Sequence, residues 1–111
     1  MKYVLRPAAK DDIIQQFRYY LLADAFETAS KFLEAVDESI ETILAMPQIG
    51  APKTLCNPIL EGLRSWPVKN FKDILIFYVI RPEVLRIVRV IHGRRDINKT
   101  LERDEDDNFV N

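Results

Sequence analysis

Asp73-Ile74-Leu75-Ile76-Phe77-Tyr78-Val79-Ile80, then Arg81-Pro82-Glu83, then Val84-Leu85-Arg86-Ile87-Val88-Arg89-Val90-Ile91-His92: this run of sequence decides the fold. Both flanks are rich in β-branched and aromatic residues, the composition of strands. The short proline-containing link makes them a hairpin. On simple alternation one face of the second strand carries Arg86, Val88, Val90 and His92, and the other carries Leu85, Ile87, Arg89 and Ile91. Both faces are mainly apolar, which suits a central strand. Gly93 ends it.

Working backwards, Leu63-Arg64-Ser65-Trp66 reads as another short strand, stopped by Pro67. Residues 47–62 hold Pro47, Gly50, Pro52, Asn57, Pro58 and Gly62 and read as a loop, with Cys56 a bystander in it. Before it, Phe26, Ala29, Leu33, Val36, Ile40 and Ile43 recur at three and four residues, which predicts a helix from about 25 to 46, ended by Pro47. Ile13, Phe17, Tyr20 and Leu21 predict an earlier helix from about 8 to 22, with Asp11 and Asp12 in its first turn, where the dipole favours acids. Asp24 is the expected N-cap of the second helix. Residues 2–6 read as a strand that Pro7 confines to an edge or ends. Working forwards, Arg94 to Leu101 reads as a basic helical turn. The expected fold is therefore α+β: an N-terminal strand, a helical hairpin, then a small antiparallel sheet, in the order β-α-α-β-β-β. The hairpin covers one face of the sheet, and the other face is expected to await a partner.

The 111 residues, 48% apolar and 30% charged, fit one globular domain and exclude disorder and a disulfide scaffold. The expected domain spans residues 1–101, followed by an acidic, mobile tail over 102–111. Cys56 is the only cysteine and His92 the only histidine, so no Cys/His zinc site can form. The longest strongly apolar run, Ile74 to Ile80, falls far short of the ~20 residues a membrane span needs. The apolar stretch near Met1 is too short for a signal peptide. A reducing, cytoplasmic location is expected, with no membrane partner.

A net charge of −1 conceals an asymmetry. Residues 1–59 carry a balance of −2, residues 60–101 one of +5, and residues 102–111 one of −4. The basic segment points to an anionic partner, either nucleic acid or an acidic protein surface.

Several chemistries can be set aside. Only Gly50, Gly62 and Gly93 are present, so there is no phosphate-cradling glycine loop. There is no Gly-x-Ser-x-Gly elbow and no histidine pair for a catalytic metal. Glu34, Asp37, Glu38 and Glu41 read as the solvated face of an amphipathic helix. What remains is His92-Gly93-Arg94-Arg95-Asp96, with Arg64, Arg86 and Arg89 near it in sequence or sheet. Guanidinium groups grouped this way can grip phosphate or carboxylate. His92 reads either as a general base for RNA cleavage or as a strand-end histidine bonded to backbone. Arg95 and Asp96 read either as part of such a site or as a local ion pair.

The chain resembles the toxins of the RelE/ParE superfamily, the toxic halves of type II toxin–antitoxin pairs, over about residues 3–101. The resemblance is carried by Ala8-Ala9-Lys10-Asp11-Asp12, Pro47-Gln48-Ile49-Gly50, Gly62-Leu63-Arg64, Ile76-Phe77-Tyr78 and, above all, Ile87 through Asp96. It implies a small sheet under a helical hairpin, in agreement with the order read from the residues.

The superfamily splits by function. The ribonuclease branch, similar to RelE, cuts messenger RNA on the ribosome with arginines, lysines and a tyrosine near the C-terminus. Aligned on Gly93-Arg94-Arg95, Arg95 falls where that branch keeps an arginine, but Leu101 falls at the tyrosine and Ile74 near another arginine. The ParE branch poisons DNA gyrase and is not a nuclease; the Gly-Leu-Arg, Phe-Tyr and Ile-His-Gly-Arg-Arg-Asp pieces look more like it. The resemblance thus implies a ParE-like, plasmid-stabilisation toxin that binds a cognate antitoxin and DNA gyrase through GyrA. Arg64, Arg86, Arg89, Arg94 and Arg95 are then the candidate target- or antitoxin-binding residues. No catalytic residue, metal, cofactor or small-molecule substrate is expected on that reading. One alternative is an mRNA interferase acting on the ribosome with His92, Arg64 and Arg95. Another is a degenerate toxin that only binds its antitoxin.

Overall fold

The computed structural model describes residues 1–54, 60–95, 97 and 99–101. The chain runs β1 (Lys2–Leu5), α1 (Pro7–Leu22), α2 (Phe26–Ala45), a 3-10 turn (Pro47–Ile49), β2 (Ala51–Pro52), β3 (Arg64–Val68), β4 (Phe71–Arg81) and β5 (Val84–His92). The five strands form one sheet in the order β1-β5-β4-β3-β2. The α+β class and element order are those expected, with the two-residue β2 added. The sheet is mixed, because β1 pairs with β5 in parallel, Lys2 opposite Val84 and Leu5 opposite Ile87. The other pairings are antiparallel. The helical hairpin intervenes after β1, so β1 need not reverse against its neighbour.

Local corrections have physical causes. Pro67 does not stop β3, which continues to Val68. β2 pairs only with Arg64 and Ser65, so β3 has no partner on its outer side at Pro67, and a missing donor is tolerated there. Asp24 is not the N-cap of α2; Ala25 holds that place without a side-chain cap. Asp24 instead takes a positive φ of 60° and closes α1. Its N–H bonds Leu21 O at 3.0 Å and Ala25 N–H bonds Tyr20 O at 2.9 Å, the paired bonds of a left-handed helix end. Since α1 begins at Pro7, Asp12 lies beyond the first turn, and it is buried.

Simple alternation along β5 also fails. A register shift between Phe77 and Tyr78 leaves Val88 as an extra residue. Leu85, Ile87 and Val90 therefore face the helices with Phe32, Val36, Ile40, Ile43, Ile76 and Tyr78. Val88 and Ile91 lie in a second cluster with Leu60, Leu63, Phe77, Val79 and Leu101, edged by Leu75 and Ile97. Residues 97 and 99–101 have helical backbone, in keeping with the turn expected there. Leu101 is 1% exposed. The apolar side chains on the second face of the sheet, expected to await a partner, are covered by the chain itself. The chain's own Leu60, Leu63, Ile97 and Leu101 pack on it. The 102–111 tail and Cys56 lie outside the described residues.

Candidate functional site

Two polar knots hold the motifs of the sequence together. At the first, the Tyr78 hydroxyl donates to Pro47 O at 2.6 Å and accepts Gly50 N–H at 2.9 Å. Arg64 Nη1 donates to Gln48 O at 3.0 Å and to Gly50 O at 2.7 Å. A Cβ at Gly50 would stand 2.5 Å from the Tyr78 hydroxyl, so only glycine fits. Burial pushes the Tyr78 hydroxyl's pKa above 10.0, opposed in part by the Gly50 N–H and the Arg64 charge.

At the second knot, Arg89 Nε meets Asp12 Oδ2 and Arg89 Nη2 meets Asp12 Oδ1, both at 2.7 Å. Asp12 Oδ2 also accepts Val90 N–H at 3.0 Å. β1 has already left β5 at this point, its last rung being Arg6 N–H to Ile87 O, and the Asp12 carboxylate takes the vacated place on the outer edge of β5.

These knots sort the candidate residues. Arg89, expected to face a target or antitoxin, is buried and committed to Asp12. Arg64 has one guanidinium nitrogen tied to the 47–50 turn. Arg86 is exposed, opposite Val4 on one side and Val79 on the other. Arg94 and Arg95 are exposed in the turn after β5, closed by Arg95 N–H to His92 O at 3.2 Å. His92 is exposed at the strand end, opposite Ile74. Asp96, the expected ion-pair partner of Arg95, lies outside the described residues.

The set His92, Arg64 and Arg95 is not gathered around one point. Arg64 pairs with Tyr78 while His92 pairs with Ile74, two strands away and four residues along β4. Strand geometry puts their Cα atoms roughly 16 Å apart, and Arg64 Nη1 already donates to Gln48 O and Gly50 O. Ile74 and Leu101, at the places of the ribonuclease branch's arginine and tyrosine, are both buried in apolar clusters.

One residue the sequence reading passed over, Lys72, lies at the Ile74–His92 end of the sheet. Lys72 is exposed on β4 two residues before Ile74, and Gly93 N–H bonds Asp73 O at 2.9 Å. Lys72, Arg94 and Arg95 thus flank the open end of the β4–β5 hairpin. Read on the strand pairing, the basic sequence and this juxtaposition were both available; only the separation of Lys72 from the Arg-rich motif hid it. Elsewhere Tyr3, Val4, Ile14, Tyr19, Leu22, Phe26 and Leu33 are apolar and exposed, most of them on the helical hairpin. Among the described residues no group of three or more His, Cys, Asp or Glu side chains could hold a metal ion. None of their helices is long and apolar enough to cross a membrane.

The architecture, a helical hairpin on a five-stranded sheet, has a solved counterpart. A chain described as "Chromosomal ParDE TA system from P. aeruginosa" superposes with a TM-score of 0.67 at 16% identity, over 83% of this chain and 95% of that one. Among curated proteins none matches this sequence. The family model described as "ParE toxin of type II toxin-antitoxin system, parDE" matches residues 3–97. The chain belongs to the ParE toxin family of type II toxin–antitoxin systems. That membership implies a cognate antitoxin as its partner.

Proposed function

We propose that this protein is a toxin of the plasmid-stabilisation type that acts in the cytoplasm by binding DNA gyrase, through GyrA, and that its antitoxin silences it. The observation that supports this reading over a nuclease is the dispersal of His92, Arg64 and Arg95, with Leu101 and Ile74 buried where a ribonuclease would need reactive side chains. Binding needs a surface and no proton transfer. Arg94, Arg95 and Arg86 supply exposed charge for target or antitoxin. Tyr19, Leu22 and Phe26, close together around the α1–α2 turn, supply apolar surface of the kind that partners cover. An antitoxin segment across the helical hairpin fits that surface, folding as it binds.

The test compares growth arrest, gyrase supercoiling and ribosome-dependent message cleavage for wild type, His92→Ala and the double charge reversal Arg94→Glu/Arg95→Glu. Inhibited supercoiling with intact message, retained in His92→Ala and lost on charge reversal, is the expected result. A general base contributes about 10²–10⁴-fold in rate. Message cleavage that vanishes in His92→Ala would overturn the proposal in favour of an mRNA interferase. Antitoxin binding with neither activity would identify a module that only binds.

A further inference from the structure

Among the described residues, no side-chain hydrogen bond or ion pair engages Lys72, Arg94 or Arg95, the exposed cations at the open end of the β4–β5 hairpin. Lys72 enters on β4, while Arg94 and Arg95 leave β5 in a turn fixed by Gly93 N–H to Asp73 O and Arg95 N–H to His92 O. The antiparallel register, Ile74 opposite His92, brings Lys72, two residues before Ile74, and Arg94, two residues after His92, to the same end of the hairpin. Asp73 is the one acid in this stretch among the described residues, and it is exposed. Lys69, the next cation along, is engaged with Glu38 at 3.2 Å and does not join them.

We infer that Lys72, Arg94 and Arg95 form a contact surface for the phosphate backbone of duplex DNA. Exposed cations gathered at one end of a hairpin can meet a regular array of phosphates, and such contacts position a protein without reading sequence. Single-stranded nucleic acid is held instead on stacked aromatic rings. Among the described residues of β4 and β5, Phe77 and Tyr78 are buried and Phe71 packs against Phe32 and Tyr20. His92 is the only exposed ring there. The surface offers charge with little to stack on, which favours a duplex. This deepens the gyrase reading, since it shares Arg94 and Arg95 with it and assigns them DNA as the thing touched. It is tested without gyrase, so the two can fail separately.

The experiment measures binding of the full chain to a fluorescent random-sequence 20-base-pair duplex from 20 to 200 mM salt. Three phosphate contacts give a slope of log Kobs against log salt of about −2.7. Arg94→Gln, Arg95→Gln and Lys72→Gln should each flatten the slope by about 1 and weaken all sequences alike. Lys31→Gln, exposed on α2 away from this surface, should leave it unchanged. Circular dichroism melts confirm that each variant is folded. No binding at 20 mM salt, or a slope indifferent to the three substitutions, would overturn the inference. So would tighter binding of single-stranded RNA of equal length, which would assign the surface to RNA, or binding only to an acidic protein competitor such as the antitoxin.

Discussion

Asp12→Ala removes the carboxylate that joins α1 to β5. In the native protein Asp12 is 9% and Arg89 8% exposed, and three hydrogen bonds end on the two carboxylate oxygens. The substitution takes the carboxylate from the buried Arg89 guanidinium and the acceptor from the Val90 N–H. Removing one partner of a buried pair destabilises by about 3–5 kcal/mol. The unsatisfied N–H belongs to the same site and is not added to it. At about 4–8 °C per kcal/mol for a domain near this size, the melting temperature should fall by at least ~12 °C. Against a typical domain stability of about 5–15 kcal/mol, that is a large share of the total. The companion variant Asp12→Leu/Arg89→Met replaces both charges by apolar groups and should recover most of the loss, because such replacements are often neutral or better. Urea titrations with a common m-value provide the readout. A single variant within 1 kcal/mol of wild type would refute the argument, as would a double variant no more stable than Asp12→Ala.

Gly50→Ala would push a Cβ onto the Tyr78 hydroxyl and to 2.9 Å from Ser65 O. Overpacking of this kind loses about 1–3 kcal/mol, read as a lower urea midpoint. Tyr78 has a folded-state pKa raised above 10.0, so its neutral form favours the fold. That contribution is complete below the unfolded pKa and is lost as pH rises through the folded one. Stability should therefore fall above pH 10, and Tyr78→Phe should flatten this part of a pH–stability profile relative to the other tyrosines. Leu101→Ala should destabilise by about 2–5 kcal/mol, and a loss below 1 kcal/mol would show that Leu101 is not docked. Glu83 holds a φ of 65° in the β4–β5 turn. Glu83→Gly should raise stability by about 1 kcal/mol, seen as a higher melting temperature.

Periodicity carried most of the fold. The spacing of Phe26, Ala29, Leu33, Val36, Ile40 and Ile43 located α2 to within a residue at each end, although Phe26 and Leu33 are exposed and Phe32 is buried in the stripe. β5 was placed at its observed ends, yet its faces were misassigned beyond the bulge at Val88, where Val90 and Ile91 exchange sides. A bulge is a pairing event, and no single strand's sequence states how its neighbour counts. The parallel β1–β5 pairing was likewise out of reach, since orientation depends on where a connection returns.

Arg89 shows why the site was harder than the fold. A guanidinium aimed at a partner and one sunk against Asp12 look alike in sequence, and the two residues stand 77 positions apart. The motifs that carried the family resemblance turn out to include those contacts. Asp12 meets Arg89, and the Pro-Gln-Ile-Gly, Gly-Leu-Arg and Phe-Tyr segments meet in the Tyr78–Arg64 knot. They specify architecture first, which is why the family was legible and the target was not.

The pairing of β1 with β5 also sets an order of events during synthesis. Lys2 through Leu5 are made 82 positions ahead of their strand partners, Val84 through Ile87. Until those emerge β1 has no ladder and Asp12 no guanidinium. Non-local closures of this kind are slow because the intervening loop entropy is lost before contacts reward it. Growing at about 5–20 residues per second, the nascent chain spends seconds with its helical hairpin formed but its sheet incomplete. A chain cut before Val84 should stay open to proteases, so premature termination yields fragments that are cleared and not partial toxins.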